Sequence, residues 1–419
     1  MSGCPFSRRQ FLTTGGLGLL AAKVLGPTRA AAAAVPADGT TVNAATVPFF
    51  GRYQPGILTP QQSHTYFAAF NVVTERREEV VRMLRDWTVA AARLSAGHPA
   101  APAVSDLSVP GPDSGEAVDL APSRLTLTFG FGAGLFTKEG KDRFGLAARR
   151  PEALVDLPKF NGDQLIEGKT GGDLSVQACA DDPQVAFHAV RQLSRLGAGV
   201  VELRWAQTGF SSGNGRSTPR NLMGFKDGTQ RPPDQDEERL VWAGADGPAW
   251  MKDGSFVVVR RIRMALEHWD STEVDFQQQV IGRRKDSGAP LGAQGEFDPM
   301  NLDAADKDGG SVIPDNAHVR LATAATNEGA QILRRGYAYN DGANFISERW
   351  PPWRQGIEYD AGLFFVAYQR DPRTGFIKIF DRMAKLDALN QFVTHTGSGL
   401  FACPPGVREG EFVGQALFA

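Results

Sequence analysis

The sequence predicts an α+β protein built from two related halves. Three observations carry that expectation. An apolar strand at 66–72 leads into an amphipathic helix reaching Leu94. A second strand-then-helix pair of the same order and similar length recurs at 363–383. The 419 residues are 42% hydrophobic and 22% charged, an ordinary globular balance that leaves room for two or three domains or one two-lobed unit. Collagen-like, wholly disordered and polytopic membrane classes are excluded by that balance.

The first element is not part of the predicted fold. Ser7-Arg8-Arg9-Gln10-Phe11-Leu12 sets two arginines directly before an apolar run at 11–22, and an alanine tract follows at 30–34. A membrane-spanning helix needs ~20 apolar residues, so this run is too short. Residues 1–34 are predicted to be a twin-arginine (Tat) export signal, and 35–47 a small, polar linker. The Tat export machinery is then a partner, and the protein is expected in the periplasm or outside the cell. Removing Arg8, Arg9, Lys23 and Arg29 with the leader takes the net charge from −2 to −6. No basic excess remains to bind nucleic acid. Cys4 leaves as well, and Cys179 and Cys403 are predicted to be buried and unpaired.

Order is expected to begin near Val47-Pro48-Phe49-Phe50. After the strand at 66–72, Val80, Leu84, Trp87, Ala91 and Leu94 fall on one helical face at spacings of three and four. Residues 96–123, rich in Ala, Pro, Gly and Ser, read as a long surface loop. Residues 125–129 alternate as a strand, and Asp181-Asp182-Pro183 is a start signal for a helix over 184–196. The halves are predicted to meet near 215–225, giving 48–220 and 221–419. The late strand at 363–369 precedes a helix with Phe376, Ile379, Phe380 and Met383 on one face.

Several chemistries find no support. Gly130-Phe131-Gly132-Ala133-Gly134-Leu135 approaches a dinucleotide fingerprint but ends in leucine. There is no Walker loop, HExxH or GxSxG string, and no CxxCH for covalent haem. What remains is a set of three strings. In Gly224-Phe225-Lys226-Asp227-Gly228-Thr229, two glycines allow close backbone approach and leave a carboxylate on an irregular loop. Alone, such a string is most often a turn. His318, within Ile313-Pro314-Asp315-Asn316-Ala317-His318, is a candidate axial metal ligand, although a lone histidine is more often a core residue. Ile332-Leu333-Arg334-Arg335-Gly336 invites one arginine into a buried anionic site; a solvated basic turn is the plainer reading.

Together these strings resemble the DyP-type (dye-decolorizing) haem peroxidases. They are nearest the exported subgroup that includes the deferrochelatase/peroxidase of bacterial ferrous-iron uptake systems. The resemblance spans nearly all of the chain after the leader. It includes Gln54-Pro55-Gly56-Ile57, Asp181-Asp182-Pro183, Val258-Val259-Arg260-Arg261-Ile262 and Leu400-Phe401-Ala402-Cys403-Pro404-Pro405-Gly406. It implies two ferredoxin-like halves with antiparallel sheets, a dimeric α+β barrel arrangement, with one haem b per chain in the second half. By matching motifs, His318 becomes the iron ligand, Asp227 the distal carboxylate and Arg334 the distal arginine, with Arg335 as runner-up. Arg334 also anchors a haem propionate, Gly228 and Thr229 border the cofactor, and Asp387 is assigned as the hydrogen-bond partner of His318. Other subgroups carry Asn where this chain has Gly336, so Asn-assisted chemistry is not expected.

The implied activity is reduction of hydrogen peroxide through a ferryl intermediate, with oxidation of dyes, phenols or other one-electron donors. An aspartate of ordinary acidity, ~3.9, suits proton transfer at acidic pH. Tyr337, Tyr339, Trp350 and Trp353 are candidate surface relays for electrons, with core packing as the plainer reading of each. The alternative is a haem- or iron-handling component of an uptake system with permease partners; a homo-oligomer fits either.

Overall fold

The computed structural model describes residues 45–102, 108–212, 217–229, 232, 234–348 and 354–419. The predicted leader, most of the linker, Trp350 and Trp353 lie outside the described residues. The N-terminal half supplies β1 (His64–Val72), β2 (Thr126–Gly132), β3 (Leu174–Ala180) and β4 (Val201–Phe210). The C-terminal half supplies β5 (Ser255–Met264), β6 (Leu333–Arg334), β7 (Tyr337–Glu348), β8 (Arg354–Gln369) and β9 (Val393–Cys403).

In the sheet, β5, β9, β2, β3, β1, β4, β7 and β8 follow one another, and β8 pairs back onto β5. The result is a closed antiparallel barrel, which leaves no unpaired sheet edge along that ring. Within each half the first long strand lies between the fourth and the third, and the second flanks the third. That shared order is the ferredoxin-like repeat. It also corrects the equivalence read from sequence. The helix that follows β8 corresponds to the helix after β3, not to the one after β1, because β3 and β8 hold the same place in their sheets.

Helix α1 (Arg77–Ser95) buries Val80, Leu84, Trp87, Ala91 and Leu94, the predicted face. Helix α2 (Pro183–Leu196) starts where predicted. The Asp182 carboxylate accepts from the Gln184 and Val185 N–H groups at 2.7 and 3.2 Å, satisfying two otherwise orphaned donors. Trp87 Nε1–H donates to the Leu193 carbonyl at 2.8 Å and ties the two helices together. Both pack on the outer sheet face, against Ala68, Phe70, Phe129 and Val176. The alternate residues Phe67 and Ala69 enter the barrel, where they meet Trp205, Val259, Tyr368 and Phe401. Strand β3 is buried on both faces, with Leu174, Val176 and Ala178 under the helices and Ser175, Gln177 and Cys179 alternating with them toward the barrel interior.

Polar pairs inside the barrel join opposite halves. Tyr368 Oη donates to Gln177 Oε1 at 2.6 Å, and Tyr337 Oη approaches Cys179 Sγ at 3.5 Å. Cys179 and Cys403 are both buried and free, as expected from the sequence. Tyr337 and Tyr339 are fully buried, so they are core residues and not surface relays.

On the C-terminal half, Arg260 is buried beneath helix α4 (Phe376–Leu386), with Phe380 against its guanidinium. It pairs with Asp163, donates to Ser398 Oγ at 3.1 Å, and donates through Nε to His395 Nδ1 at 3.1 Å. Burial, and then the Arg260 charge, push the His395 imidazole down to about 3. Its folded pKa therefore lies below the ordinary ~6.5 of an unfolded histidine. Stability from this group is present above pH 6.5 or so and is lost as pH falls toward 3, since the unfolded chain takes up the proton first. His395→Gln is expected to flatten the acid limb of the stability profile by up to one proton, about 1.4 kcal/mol per pH unit at its steepest. Chemical denaturation at a series of pH values checks this, and parallel profiles for the two proteins would refute it.

Candidate active site

Helix α3 (His318–Leu321) is a single turn with His318 at its start. The His318 Nδ1–H donates to Asp387 Oδ2 at 2.7 Å. A carboxylate only accepts, so the proton sits on Nδ1 and Nε2 is left with its lone pair. Asp387 follows the end of α4, and its other oxygen accepts from the Leu389 N–H at 2.9 Å. One buried carboxylate thus caps its own turn and orients the imidazole. The Ala388 N–H donates to the Asn316 carbonyl at 3.0 Å, locking the two segments together. Burial pulls the His318 pKa down, but the charge and hydrogen bond of Asp387 outweigh it and hold the ring above its ordinary value. Such a partner raises the basicity of a histidine ligand.

Asp227 sits on the loop at 221–229. Asn221 Oδ1 accepts from the Met223 and Phe225 N–H groups at 3.1 and 3.2 Å, shaping its first turn. The Asp227 N–H donates to the Pro219 carbonyl at 2.8 Å. Gly228 has φ +119°, a backbone conformation that L side chains rarely adopt. The Asp227 carboxylate accepts from Arg334 Nη1 at 3.0 Å, with both side chains about one-third exposed. The charges of Arg334 and Asp227 both act on His318, the first opposing and the second favouring its protonation.

The two arginines are separated by strand geometry. Arg334 pairs with Ala367 on β8 and turns to Asp227. Arg335 turns the other way, is buried, and donates to the Thr59 carbonyl and to Gln62 Oε1 of the N-terminal half. Thr229, predicted to border the cofactor, donates its hydroxyl to Glu296 Oε1 at 3.0 Å. Glu296 itself was missed. It lies in a polar loop with no periodicity and no motif, and no signal in the sequence points to it. The Gly336 carbonyl accepts from Gln61 Nε2 at 2.8 Å. A cavity of ≈ 130 Å³ beside His188 and Asp113 is lined only by N-terminal residues and includes none of these groups.

The donor set bears on which group fits here. Among the described residues, no three His, Cys, Asp or Glu side chains converge as a metal site. A lone histidine with a carboxylate behind it suits a metal that brings its own equatorial ligands, as haem iron does. The arginine–carboxylate pair supplies a proton carrier beside a fixed positive charge.

Comparison with known proteins agrees with that chemistry. Residues 54–211 match the family profile described as Dyp-type peroxidase, N-terminal, and residues 218–408 that described as Dyp-type peroxidase, C-terminal. The chain is 40% identical over 384 residues to the dye-decolorizing peroxidase of Thermobifida fusca (strain YX), covering 87% of this chain and 83% of that one. It is 37% identical to the deferrochelatase of Escherichia coli (strain K12), covering 88% and 86%. Among solved structures, ferric DtpA from Streptomyces lividans aligns with a TM-score of 0.81 at 41% identity, covering 90% of this chain and 98% of that one.

Proposed function

The chain belongs to the DyP-type peroxidase family, and on that premise we propose that Asp227, Arg334 and His318 carry its peroxide chemistry around one haem. The observation that supports this reading is the 3.0 Å Arg334–Asp227 pair together with His318, whose Nδ1 is committed to Asp387. When bound, haem supplies the iron at which peroxide is reduced and the oxidising equivalents that one-electron donors later consume. His318 holds that iron through Nε2, and Asp387 keeps the ring oriented and electron-rich. Asp227 takes a proton from one peroxide oxygen through Oδ and returns it to the other, which makes the departing oxygen a neutral water. Arg334 keeps its charge at working pH. It orients the Asp227 carboxylate and stabilises negative charge as the O–O bond opens. Gly228 lets the backbone of the Asp227 loop come close to the cofactor.

The donors are one-electron reductants such as dyes or phenols. The second reading, haem or iron handling with a permease partner, draws on the relatives named deferrochelatase; the Asp227–Arg334 pair favours the peroxidase. Export through the leader at 1–34 is supported by its Ser-Arg-Arg-Gln-Phe-Leu string.

One spectrum tests the reading. Haem-loaded protein is expected to change its Soret band on adding about one equivalent of hydrogen peroxide, and a phenolic donor is expected to restore it. A band indifferent to peroxide would refute the peroxidase assignment.

A further inference from the structure

We propose that Glu296 is a positioning residue for Asp227, clamping the loop that carries it and keeping Lys226 from competing with Arg334. Three side chains bracketing Asp227 converge on this one carboxylate. Thr218 Oγ1 and Thr229 Oγ1 donate to Oε1, the latter at 3.0 Å, and Lys226 Nζ pairs closely with Oε2. The Glu296 side chain is only 10% exposed. Burial would raise its pKa, yet Lys226 and the two threonines hold the carboxyl below the usual range. The clamp is itself anchored. Buried Arg283 donates through Nη1 to the Glu296 carbonyl at 2.9 Å and to the Gly288 carbonyl at 2.6 Å.

Two consequences follow for Asp227. Gly224 and Gly228, both at positive φ, flank it and stiffen the loop least of any residues. Three bonds to one fixed carboxylate replace that missing stiffness. The second consequence is electrostatic. Lys226 is the immediate neighbour of Asp227, and a poorly solvated ammonium seeks the nearest carboxylate. Glu296 satisfies it, which leaves Asp227 to Arg334. Without Glu296, Lys226 draws the Asp227 carboxylate away from the arginine and out of reach of peroxide.

The catalytic consequence rests on the peroxidase reading, whereas the clamp does not, so the test has a readout for each. Amide hydrogen exchange on the full chain without haem reads the clamp. Glu296→Ala is expected to speed exchange across 217–229, the Asp227 amide included, by about tenfold while the barrel strands stay protected. Stopped-flow mixing of the haem-loaded protein with peroxide reads the consequence. Glu296→Ala is expected to react about tenfold more slowly with haem affinity unchanged, and Glu296→Gln, which keeps an acceptor for the threonines, is expected to recover part of the rate. Adding Lys226→Met to Glu296→Ala removes the competing cation and is expected to bring the rate back to within about threefold of the parent. Unchanged exchange in the loop, or protection lost across the whole barrel, would overturn the clamp. A double variant as slow as Glu296→Ala would overturn the competition. A parent protein inert to peroxide would defeat the peroxidase reading and leave the exchange result to decide the clamp.

Discussion

His318→Ala is expected to abolish stable haem binding. On the proposed assignment His318 is the iron ligand, and its Nδ1 is already committed to Asp387. No described trio of metal-ligating side chains stands ready to replace it. Altering a partner behind a ligand typically costs 10–100-fold in metal affinity, so removal of the ligand is expected to exceed about 100-fold. The substitution also strands Asp387, a buried carboxylate that keeps only the Leu389 N–H as a described partner on its side chain. Loss of a charged hydrogen-bond partner at such a site is destabilising in its own right. Titrating haem into apo-protein and following the Soret band measures the first effect, and thermal unfolding of the apo-protein the second. Equal affinity with an unchanged band would show that another residue holds the iron.

Asp227→Asn is expected to leave haem bound and to slow the reaction with peroxide by about 10²–10⁴-fold, the usual contribution of a general acid–base group. The amide keeps an oxygen for Arg334 Nη1, so the 3.0 Å contact and the loop geometry survive. What is lost is the capacity to take up a proton and return it. Any pH dependence of the rate that belongs to this carboxylate disappears with it. The bimolecular rate constant with peroxide, measured across pH 4–7 or so for both proteins, separates proton transfer from binding. A rate close to that of the parent would remove Asp227 from the chemistry and leave Arg334 as the working group.

Much of the fold was legible where one face of an element meets water. Helix α1 announced itself through Val80, Leu84, Trp87, Ala91 and Leu94, and α2 through the Asp182-Pro183 start. The strands β3, β4, β5, β6, β7 and β9 were not read. In a closed barrel covered by helices, a strand such as Leu174–Ala180 is buried on both sides, and its inward face carries Ser175, Gln177 and Cys179 instead of large apolar residues. At the site, Asp227, His318, Arg334 and Asp387 were all named from motifs, and the structure pairs Arg334 with Asp227 and His318 with Asp387. The choice between Arg334 and Arg335 could not come from composition, because Arg334 ends the two-residue strand β6, Arg335 directly follows it, and the two differ only in which way they turn. Glu296 had no signal at all, since its three partners come together only when distant loops fold.

The two-residue strand β6 has a consequence for inheritance. Arg334 turns to Asp227, while its neighbour Arg335 is fastened inside the other half, on Thr59 and Gln62. On the proposed assignment, the half that holds the haem ligand borrows the bearing of its distal arginine from the half that does not. The two halves repeat one plan, yet they are not interchangeable modules. A recombinant that exchanges the first half between relatives keeps its aim only if the incoming segment presents a backbone carbonyl and a side-chain oxygen in the places of Thr59 and Gln62.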